Sequence, residues 1–522
     1  MIAIDTEDDS RGTPNLFAAV SDDGSYYTRS RLDFLLYLSQ QRGDVWATNL
    51  EYDLVNVFGD SIPEVGLRFS RNALISAKWK GLRFLDTVRH VPASVKALGE
   101  WTDLPKMERD GSPEYCVRDA AITRRGALEV CRLYRELGLE RPAGTLASSA
   151  LRLWRQRWSR SGELRLPQDR VLGIAERAYY GGRTEVFHAG EFRNVAGTDM
   201  ASAYPWAMTH GPFPIPWGLY RESRTLRRLG FYRVKVSLPR AAPFGTLPYR
   251  SADGNVYPRG SWEGYYTGLE LEAHLAHGGT ILQVVEGVTF PFTCLPFGKY
   301  IADLFRVKHT SRGLRRTHAK LLLNGLYGKF GERGGRTVAV PQAVWEDMKP
   351  RPRDTRLGLG LALYTLDTPP PPWGNVVWAA LVTARCRVRL LAELHHLREA
   401  GCTPLYCDTD GIYYLGGFRY PQKAANVGGW EDRGHYSRMT IRGKKEYGIK
   451  RAGEPWTWYA KGVPFAAREE YVRNGVASFV RPNRLRESLR LGKAPNVWED
   501  REKRRKRVLD PGPVPPYTLR ES

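Results

Sequence analysis

The segment Leu405-Tyr406-Cys407-Asp408-Thr409-Asp410-Gly411-Ile412-Tyr413-Tyr414-Leu415 constrains this chain more than any other. Apolar, β-prone residues flank a short acidic turn on both sides, which predicts a strand–turn–strand hairpin. Two carboxylates at the tip of an apolar hairpin repel each other, and a divalent cation is the usual remedy.

The 522 residues suffice for roughly three or four structural units. Hydrophobic residues make up 42%, which supports substantial cores and argues against wholesale disorder. Basic residues number 79 and acidic residues 56, a formal charge of +23. Such an excess favours a polyanionic partner, most often nucleic acid, with a well-solvated basic surface as the competing reading. The cysteines at 116, 131, 294, 386, 402 and 407 form no CxxC pair and no Cys/His zinc spacing, which implies a reducing compartment. Met1-Ile2-Ala3-Ile4-Asp5 turns acidic at once, unlike a signal peptide. The apolar run Val376 to Ala384 stops at Arg385, too short to span a membrane. A soluble, intracellular protein is expected.

Met1 to Ile4 reads as a buried strand with Asp5-Thr6-Glu7 at its end. If the strand stays extended through Glu7, both carboxylates face the same way, because side chains alternate. Asn49-Leu50-Glu51-Tyr52-Asp53 follows the strand-like Val45-Trp46-Ala47. Tyr115-Cys116-Val117-Arg118-Asp119 opens a helical stretch, Ala120 to Leu133, and one helical face carries both Tyr115 and Asp119. Each acid alone reads as a surface cap or an ion pair. Together Asp5, Glu7, Asp53 and Asp119 could hold two magnesium ions. Two ions about 3.5–4 Å apart can activate water and stabilise the leaving oxygen in phosphodiester cleavage.

In order, these segments resemble the three exonuclease motifs of family B DNA polymerases: Asp-x-Glu, Asn-x-x-(Phe/Tyr)-Asp and Tyr-x-x-x-Asp. The resemblance implies an RNase H-like 3′–5′ proofreading domain with Asp5, Glu7 and Asp119 as metal ligands and Asp53 as a further catalytic acid. It implies that Asn49 and Tyr52 contact a single-stranded 3′ end and that Tyr115 helps orient the attacking water. It also maps a catalytic lysine of the protein-primed branch onto Lys106, in Leu104-Pro105-Lys106.

From about 141 to 185 no strong strand pattern occurs before Tyr179-Tyr180-Gly181-Gly182-Arg183-Thr184. Paired glycines let a backbone approach another chain closely, and tyrosines offer stacking faces. A tight turn between domains is the plainer reading. The segment resembles the Tyr-x-Gly-Gly motif of protein-primed family B polymerases, which implies template contacts at Tyr179, Gly181 and Gly182.

Gly197-Thr198-Asp199-Met200-Ala201-Ser202-Ala203-Tyr204-Pro205 places an acid after a strand-like segment and before a turn. It resembles motif A, Asp-x-x-Ser-Leu-Tyr-Pro, with Ala203 in place of Leu. The resemblance pairs Asp199 with Asp410 around two ions, with the Met200 backbone carbonyl as a further ligand and Asp408 as a nearby third acid. Tyr204 would sit beneath the sugar, where a ring excludes a ribose 2′-OH.

Arg312 to Lys329 reads as one helix. Arg312, Arg316, Lys320 and Asn324 are spaced by four, and Tyr327 follows Lys320 by seven, so they share a slowly drifting stripe. Leu321, Leu322 and Leu326 pack away from much of it. Like charges at this spacing repel by roughly 0.2–0.5 kcal/mol per pair. A triphosphate would neutralise them, with Tyr327 near the base or sugar; a solvated basic face is the alternative. Lys320 to Gly328 resembles motif B, Lys-x-x-x-Asn-Ser-x-Tyr-Gly. Gly325 replaces Ser, a change expected to loosen the helix or the nascent base-pair pocket. Lys308 and Arg316 match further triphosphate-side positions of the protein-primed branch. Motif C carries Gly411 where Ser is commoner. Lys444-Lys445-Glu446-Tyr447, in a strand-like setting, resembles the Lys-x-Tyr motif that holds a primer terminus, mapped to Lys445 and Tyr447. Gly428-Gly429-Trp430-Glu431 also has a counterpart in that branch.

The chain thus resembles family B DNA-directed DNA polymerases, most of all the protein-primed bacteriophage-type subgroup. The implied fold is multidomain, α/β and α+β: an RNase H-like 3′–5′ exonuclease domain plus a right-hand polymerase of palm, fingers and small thumb with two palm insertions. The expected division is exonuclease 1–140, linker 141–185, palm 186–205 and 373–465, first insertion 206–305, fingers 306–330, second insertion 331–372, and thumb with tail 466–522. The first insertion matches a terminal-protein region and the second a strand-displacement region. The second also reads as a long hairpin or flexible loop. Arg481, Arg484, Arg486, Arg490 and Lys493 are expected to grip duplex phosphates. The run Lys503-Arg504-Arg505-Lys506-Arg507 and the Pro-rich tail are expected to be mobile.

The implied chemistry is dNTP addition to a primer 3′-OH with exonuclease editing, using two Mg²⁺ ions per active site, with Mn²⁺ able to substitute. The implied partners are primer-template DNA and dNTPs, with no membrane, for a monomer replicating a viral or mobile-element genome, in the host cytoplasm if viral. Priming by a terminal protein or by an ordinary nucleic acid stays open. A nuclease with a decayed polymerase half would show damage at Asp199, Lys320, Tyr327 or Asp410, and all are intact. A nonenzymatic DNA-binding protein gives no reason for two carboxylate sets.

Overall fold

Strand alternation decides where the first acids go. In the computed structural model, β1 (Ile2–Asp8) stays extended through Glu7. Ile2 and Ile4 pack on one face of the sheet and Ala3 on the other. The structure describes residues 1–9, 12–70, 73–158, 169–215, 219–252, 254–352, 354–424, 426–482, 485, 498–505 and 509–519. β1 pairs antiparallel with β2 (Pro14–Val20), which pairs with β3 (Ser25–Thr28), and runs parallel to β4 (Gly43–Ala47). Helix α1 (Leu50–Phe58) follows, then β5 (Gly66–Ser70), β6 (Ala73–Trp79) and β7 (Leu82–Asp86), with β7 parallel to β4. Parallel pairs need cover on both faces. Helix α1 packs on the Ile2/Ile4 face. Helix α2 (Pro113–Glu136) packs on the Ala3 face. Ser112 caps α2 by accepting from the Tyr115 N–H, and Pro113 opens its first turn, so the helix is longer than the expected 120–133.

The joint contains α3 (Leu146–Leu153) and α4 (Asp169–Ala178), then β8 (Thr184–Val186). The long β9 (His188–Met200) leads into α5 (Ala203–Thr209), which runs past the expected boundary at 205. The next stretch is organised around β10 (Phe231–Leu238), which pairs with β11 (Gly260–Thr267) and, beyond α6 (Gly268–Ala276), with β12 (Thr280–Thr289). Helix α7 (Gly298–Thr310) starts before the expected boundary at 306. It belongs with α8 (Gly313–Gly325), because Tyr300, Ile301 and Leu304 bury against that helix and the Tyr300 hydroxyl donates to the Leu322 carbonyl (2.8 Å).

The single helix expected over 312–329 is instead α8 followed by a short α9 (Tyr327–Phe330). The break follows Gly325, where a Cβ would lie 2.8 Å from Leu146 Cδ2 of α3. Glycine therefore lets α8 approach α3, and close packing replaces the expected loosening.

Residues 331–372 are not a flexible loop. β13 (Arg336–Pro341) pairs with β5 through Val338 and Arg68, and β14 (Arg356–Gly358) and β15 (Leu361–Leu366) continue outward. The result is one ten-stranded sheet in the order β14-β15-β13-β5-β6-β7-β4-β1-β2-β3. Leu361 and Leu363 bury in the same core as Ile2 and Ile4, which supplies the apolar contact a free loop lacks.

Helix α10 (Val376–Glu399), capped by Asn375, backs a second sheet. This sheet takes β16 (Thr403–Asp408), β17 (Gly411–Leu415), β18 (Trp430–Gly443), β19 (Glu446–Lys450) and β20 (Thr457–Ala460) in the order β20-β19-β18-β9-β17-β16-β8. Helix α11 (Arg468–Asn474) and the hairpin of β21 (Val476–Pro482) with β22 (Trp498–Arg504) follow. Arg484, Arg486, Arg490, Lys493, Lys506 and Arg507 lie outside the described residues, as does the side chain of Arg481.

The described residues of the basic run and tail are held where mobility was expected. Lys503 and Arg504 lie in β22, and Arg505 donates to Glu446 (2.8 Å) and to the Val472 carbonyl (2.8 Å). β23 (Gly512–Pro513) pairs with β9, and the Val514 N–H donates to the Phe187 carbonyl (2.8 Å). The Arg259 N–H donates to Tyr517 (3.1 Å). Proline removes donors from such a segment but leaves its carbonyls and the intervening N–H groups free to dock. Among the described residues no helix is long and apolar enough to cross a membrane.

Candidate active sites

Asp5 and Glu7 project from the face of β1 that α2 covers, and there they meet Asp119. Carboxylate oxygens of the three lie within 4.8 Å of one another. Asp119 Oδ1 is buried with no hydrogen-bond partner among the described residues, an acceptor that a cation would satisfy. Burial, with repulsion from Asp53, Asp119 and Glu7, pushes the Asp5 carboxyl well above the usual range. Burial raises Glu7 and Asp119 too, against the opposing pull of Arg109 and Lys106. The donor set therefore fits a divalent cation.

Asp53 repels Asp5 but is not one of the trio. It lies in α1, on the opposite side of β1, and accepts from the Thr6 hydroxyl (2.8 Å). Lys106 pairs with Asp119 and lies over the Tyr115 ring, 4.8 Å from its centroid. Asn49 is exposed at the N-terminus of α1 in a left-handed conformation (φ 74°), and its N–H donates to Asp86 (3.1 Å). The Tyr52 hydroxyl donates to Asp8. Arg109, Asn56 and Asp8 carried no sequence signal. Arg109 pairs with Glu7 at 2.7 Å, and Asn56 donates to Asp8 at 3.0 Å and to Thr6 at 3.1 Å.

The second acidic site forms where β9 meets the β16–β17 hairpin. Gly411 pairs with Asp199 across the sheet, and the Met200 N–H donates to the Asp410 carbonyl (2.7 Å). The Asp199 carboxyl is raised to about 7 by burial and by Asp410, with Arg433 opposing. Asp410 is raised by burial as well. Two part-buried carboxylates of raised affinity for protons, beside the Met200 backbone at the strand end, fit a divalent cation. Asp408 is engaged from several sides: it accepts from Thr184 (2.9 Å), Thr409 (3.2 Å) and Tyr406 (3.3 Å) and pairs with Lys445.

The basic stripe lies nearby. Arg316 and Lys320 are exposed on α8 and Arg312 is exposed at its N-cap, and Lys308 of α7 donates to the Ser202 hydroxyl (3.3 Å). Burial, then Lys320 and Arg316, lowers the Lys308 pKa, which places the three cations together. Asn324 donates to the Lys320 carbonyl (3.1 Å). Tyr204 of α5 stacks on Tyr327 of α9 with centroids 4.1 Å apart. Ala203 is buried against α10, and the Cys386 thiol points at its carbonyl (3.6 Å).

Gly182 abuts the turn of the hairpin: a Cβ there would lie 2.8 Å from the Thr409 side chain. Gly181 lends its carbonyl to Arg387 (2.8 Å), and the ring of Tyr179 packs against Gly331. Lys445 sits in the β18–β19 turn (φ 60°) rather than in a strand, which brings its ammonium to Asp408. Tyr447 is buried in a tyrosine cluster and stacks on Tyr459 at 4.7 Å. Arg433, which no motif indicated, pairs with Asp199 at 3.4 Å.

Residues 109–338 match the family model described as DNA polymerase type B, organellar and viral. A probable DNA polymerase of Neurospora intermedia is 26% identical over 304 residues, 51% of this chain and 30% of that protein. The DNA-directed DNA polymerase of Enterobacteria phage PRD1 is 24% identical over 302 residues, 56% of this chain and 53% of that one. Both matches span less than two thirds of the relative's length. Phi29 DNA polymerase, solved with primer-template DNA and incoming nucleotide, superposes with a TM-score of 0.76 at 17% identity, over 97% of this chain and 99% of that one. That likeness establishes the fold, an RNase H-like unit joined to a right-hand unit. Over residues 109–338 the chain resembles the family B DNA polymerases of the organellar and viral type, and its fold is that of Phi29 DNA polymerase.

Proposed function

We propose that the chain is a template-directed DNA polymerase that adds dNTPs to a primer 3′-OH at the Asp199–Asp410 site and edits with a 3′–5′ exonuclease at the Asp5, Glu7 and Asp119 site, in replication of a viral or mobile-element genome. One observation carries this reading. The Asp199–Asp410 pair faces a basic helix and a tyrosine stack, while a separate trio, Asp5, Glu7 and Asp119, lies on another sheet. The family match and the Phi29 polymerase solved with DNA and nucleotide support it.

In this reading Asp199, Asp410 and the Met200 carbonyl hold Mg²⁺, or Mn²⁺ in its place, and Asp408 fixes the turn. Two such ions lower the pKa of the attacking hydroxyl and stabilise the pyrophosphate leaving group. Lys308, Arg316 and Lys320 offset triphosphate charge, and Asn324 and Tyr327 line the nucleotide site. Tyr204 stands against the sugar. Lys445 and Tyr447 hold the primer end, and Tyr179, Gly181 and Gly182 track the template. At the editing site Asp5, Glu7 and Asp119 are the ligands, with Asp53, Tyr115 and Lys106 orienting the attacking water. Asn49 and Tyr52 hold the frayed 3′ end. Base pairing to the template, rather than protein–base contact, selects the nucleotide.

The test is a pair of assays. Asp410→Ala should abolish primer extension and spare degradation of single strands, and Asp5→Ala should do the reverse. Loss of both activities in either folded variant would reject two separate sites, and no extension by the intact protein with either metal would reject the polymerase. Protein priming is the second part of the proposal. Template, dNTP and candidate partner proteins with no oligonucleotide should yield nucleotide linked to a partner Ser, Thr or Tyr. Extension only from an added oligonucleotide would reject it.

A further inference from the structure

Arg433 reaches Asp199 because the strand is built to send it there. The pairing of β18 with β9 skips a residue: Asp432 faces Thr198 and Gly434 faces Gly197, so Arg433 is the extra residue of a β-bulge. Bulges re-aim side chains beside active sites. This one is anchored on both flanks. The Asp432 N–H donates to the Pro421 carbonyl (2.8 Å), and the Asp432 carboxylate accepts from the Gly434 N–H (2.8 Å). Gly434 takes φ 110°, a conformation that other residues rarely adopt. The Arg433 carbonyl accepts from the Tyr436 hydroxyl (3.2 Å).

Gly411 supplies the space. A Cβ at that position would lie 2.8 Å from Arg433 Nη1 and 3.0 Å from Asp199 Oδ1. The serine commoner at this place in motif C would push the guanidinium off the carboxylate. The missing side chain and the bulged arginine are thus two halves of one arrangement.

We propose that Arg433 is a positioning residue of the Asp199–Asp410 site: its guanidinium holds the Asp199 carboxylate while no divalent cation is bound, and yields it when one binds. The proposal rests on the reading of that site as a metal site. Arginine offers only donors and one fixed charge, so it can neutralise the acid without taking part in chemistry. Its side chain is 47% exposed, which leaves room to withdraw.

The test is Mn²⁺ binding to the full chain, followed by electron paramagnetic resonance, in an Asp5→Asn/Glu7→Gln background that silences the other cluster. Arg433→Gln should tighten Mn²⁺ binding up to about fivefold, the upper range for a part-exposed ion pair. Gly411→Ala should tighten it similarly, and Arg433→Lys should stay near the parent. Without metal, Arg433→Gln should melt below its parent, and saturating Mn²⁺ should close the gap. Unchanged or weaker binding in Arg433→Gln, or a melting gap that metal leaves open, overturns the proposal. Tighter binding in Arg433→Gln but not in Gly411→Ala overturns the part assigned to Gly411. Asp410→Asn in the same background is the separate control: if it leaves Mn²⁺ binding intact, the metal-site reading itself fails.

Discussion

Tyr204 and Tyr327 stack with ring centroids 4.1 Å apart and planes inclined by 25°. The contact joins the helix after Asp199 to the helix after the basic stripe. In the proposed function a nucleotide entering between acids and cations would pass this stack, and a flat, part-buried ring there would limit the space beside the sugar. Tyr204→Val should therefore lower the ratio of kcat/KM for dNTP over rNTP by roughly 10- to 200-fold, the range for a small steric difference in a pocket. Tyr204→Phe keeps the ring and should keep most of the selectivity. Competitive incorporation assays read both, and a Tyr204→Val enzyme as selective as wild type would remove the tyrosine from this role.

The acidic sites predict an unusual pH dependence. Burial and Asp410 raise the Asp199 carboxyl to about 7, and burial raises Asp5 and Asp53 well above their usual range. A carboxyl with a raised folded pKa binds its proton more tightly folded than unfolded. Its contribution is present at low pH and lost as pH climbs from about 4 through about 7. Metal needs the ionised form, so metal affinity rises over the same window. Metal-free protein should lose Tm between about pH 5 and pH 8, and Asp199→Asn should lose less. The Tm gain on adding Mg²⁺ should be larger at the upper pH. Thermal scans across pH with and without Mg²⁺ decide it; a wild-type slope matching Asp199→Asn would place Asp199 in the ordinary carboxylate range.

What the sequence disclosed was local and periodic. Alternation placed Asp5 and Glu7 on one face of β1, and four-residue spacing placed Arg316 and Lys320 on the exposed side of α8. The hairpin around Thr409-Asp410 followed from apolar flanks on an acidic turn. What it concealed depends on pairing between distant segments. Val338 meets Arg68 at a sheet edge, and nothing in a Gly/Pro-rich stretch announces that partner. Arg433 resembled any other basic residue until the bulge turned it towards Asp199. Lys445 sat in a strand-like context, yet a positive φ at the turn is what sends its ammonium to Asp408.

Gly182 and Thr409 test how the joint supports the catalytic turn. Thr409 adopts φ 64°, its N–H donates to the Arg183 carbonyl (2.7 Å), and its side chain fills the space beside Gly182. Gly182→Ala sets a Cβ 2.8 Å from that side chain and should shift the turn carrying Asp410. Extension should fall by about tenfold or more, as small misplacements in active sites do, while exonuclease activity on single strands holds. Thr409→Gly opens the space and suits the positive φ, so the Gly182→Ala/Thr409→Gly double variant should recover much of the loss. Equal losses in the single and double variants would show that the contact does not position the turn.

Arg387 connects that joint to the rest of the molecule. Its guanidinium donates to Glu270 through Nε (2.9 Å) and Nη2 (2.7 Å), and Nη1 donates to the carbonyls of Tyr180 (2.6 Å) and Gly181 (2.8 Å). The two side chains are 3% and 2% exposed, so neither charge has water to fall back on. Glu270 also accepts from the N–H and hydroxyl of Thr267, closing the capping box of α6. Removing the arginine leaves the buried Glu270 charge unpaired and its Oε1 without a donor, and takes a donor from the carbonyls of Tyr180 and Gly181. Arg387→Ala should cost about 3–5 kcal/mol. Arg387→Lys should rescue it only partly, because an ammonium cannot reproduce the fork. Arg387→Met/Glu270→Leu should lie well above Arg387→Ala, since apolar replacement of both charges removes the desolvation cost along with the attraction. Thermal denaturation of the three variants separates these outcomes. An Arg387→Ala protein that melts with wild type would mean the buried pair is dispensable, and with it the link from α10 through Gly181 to the turn.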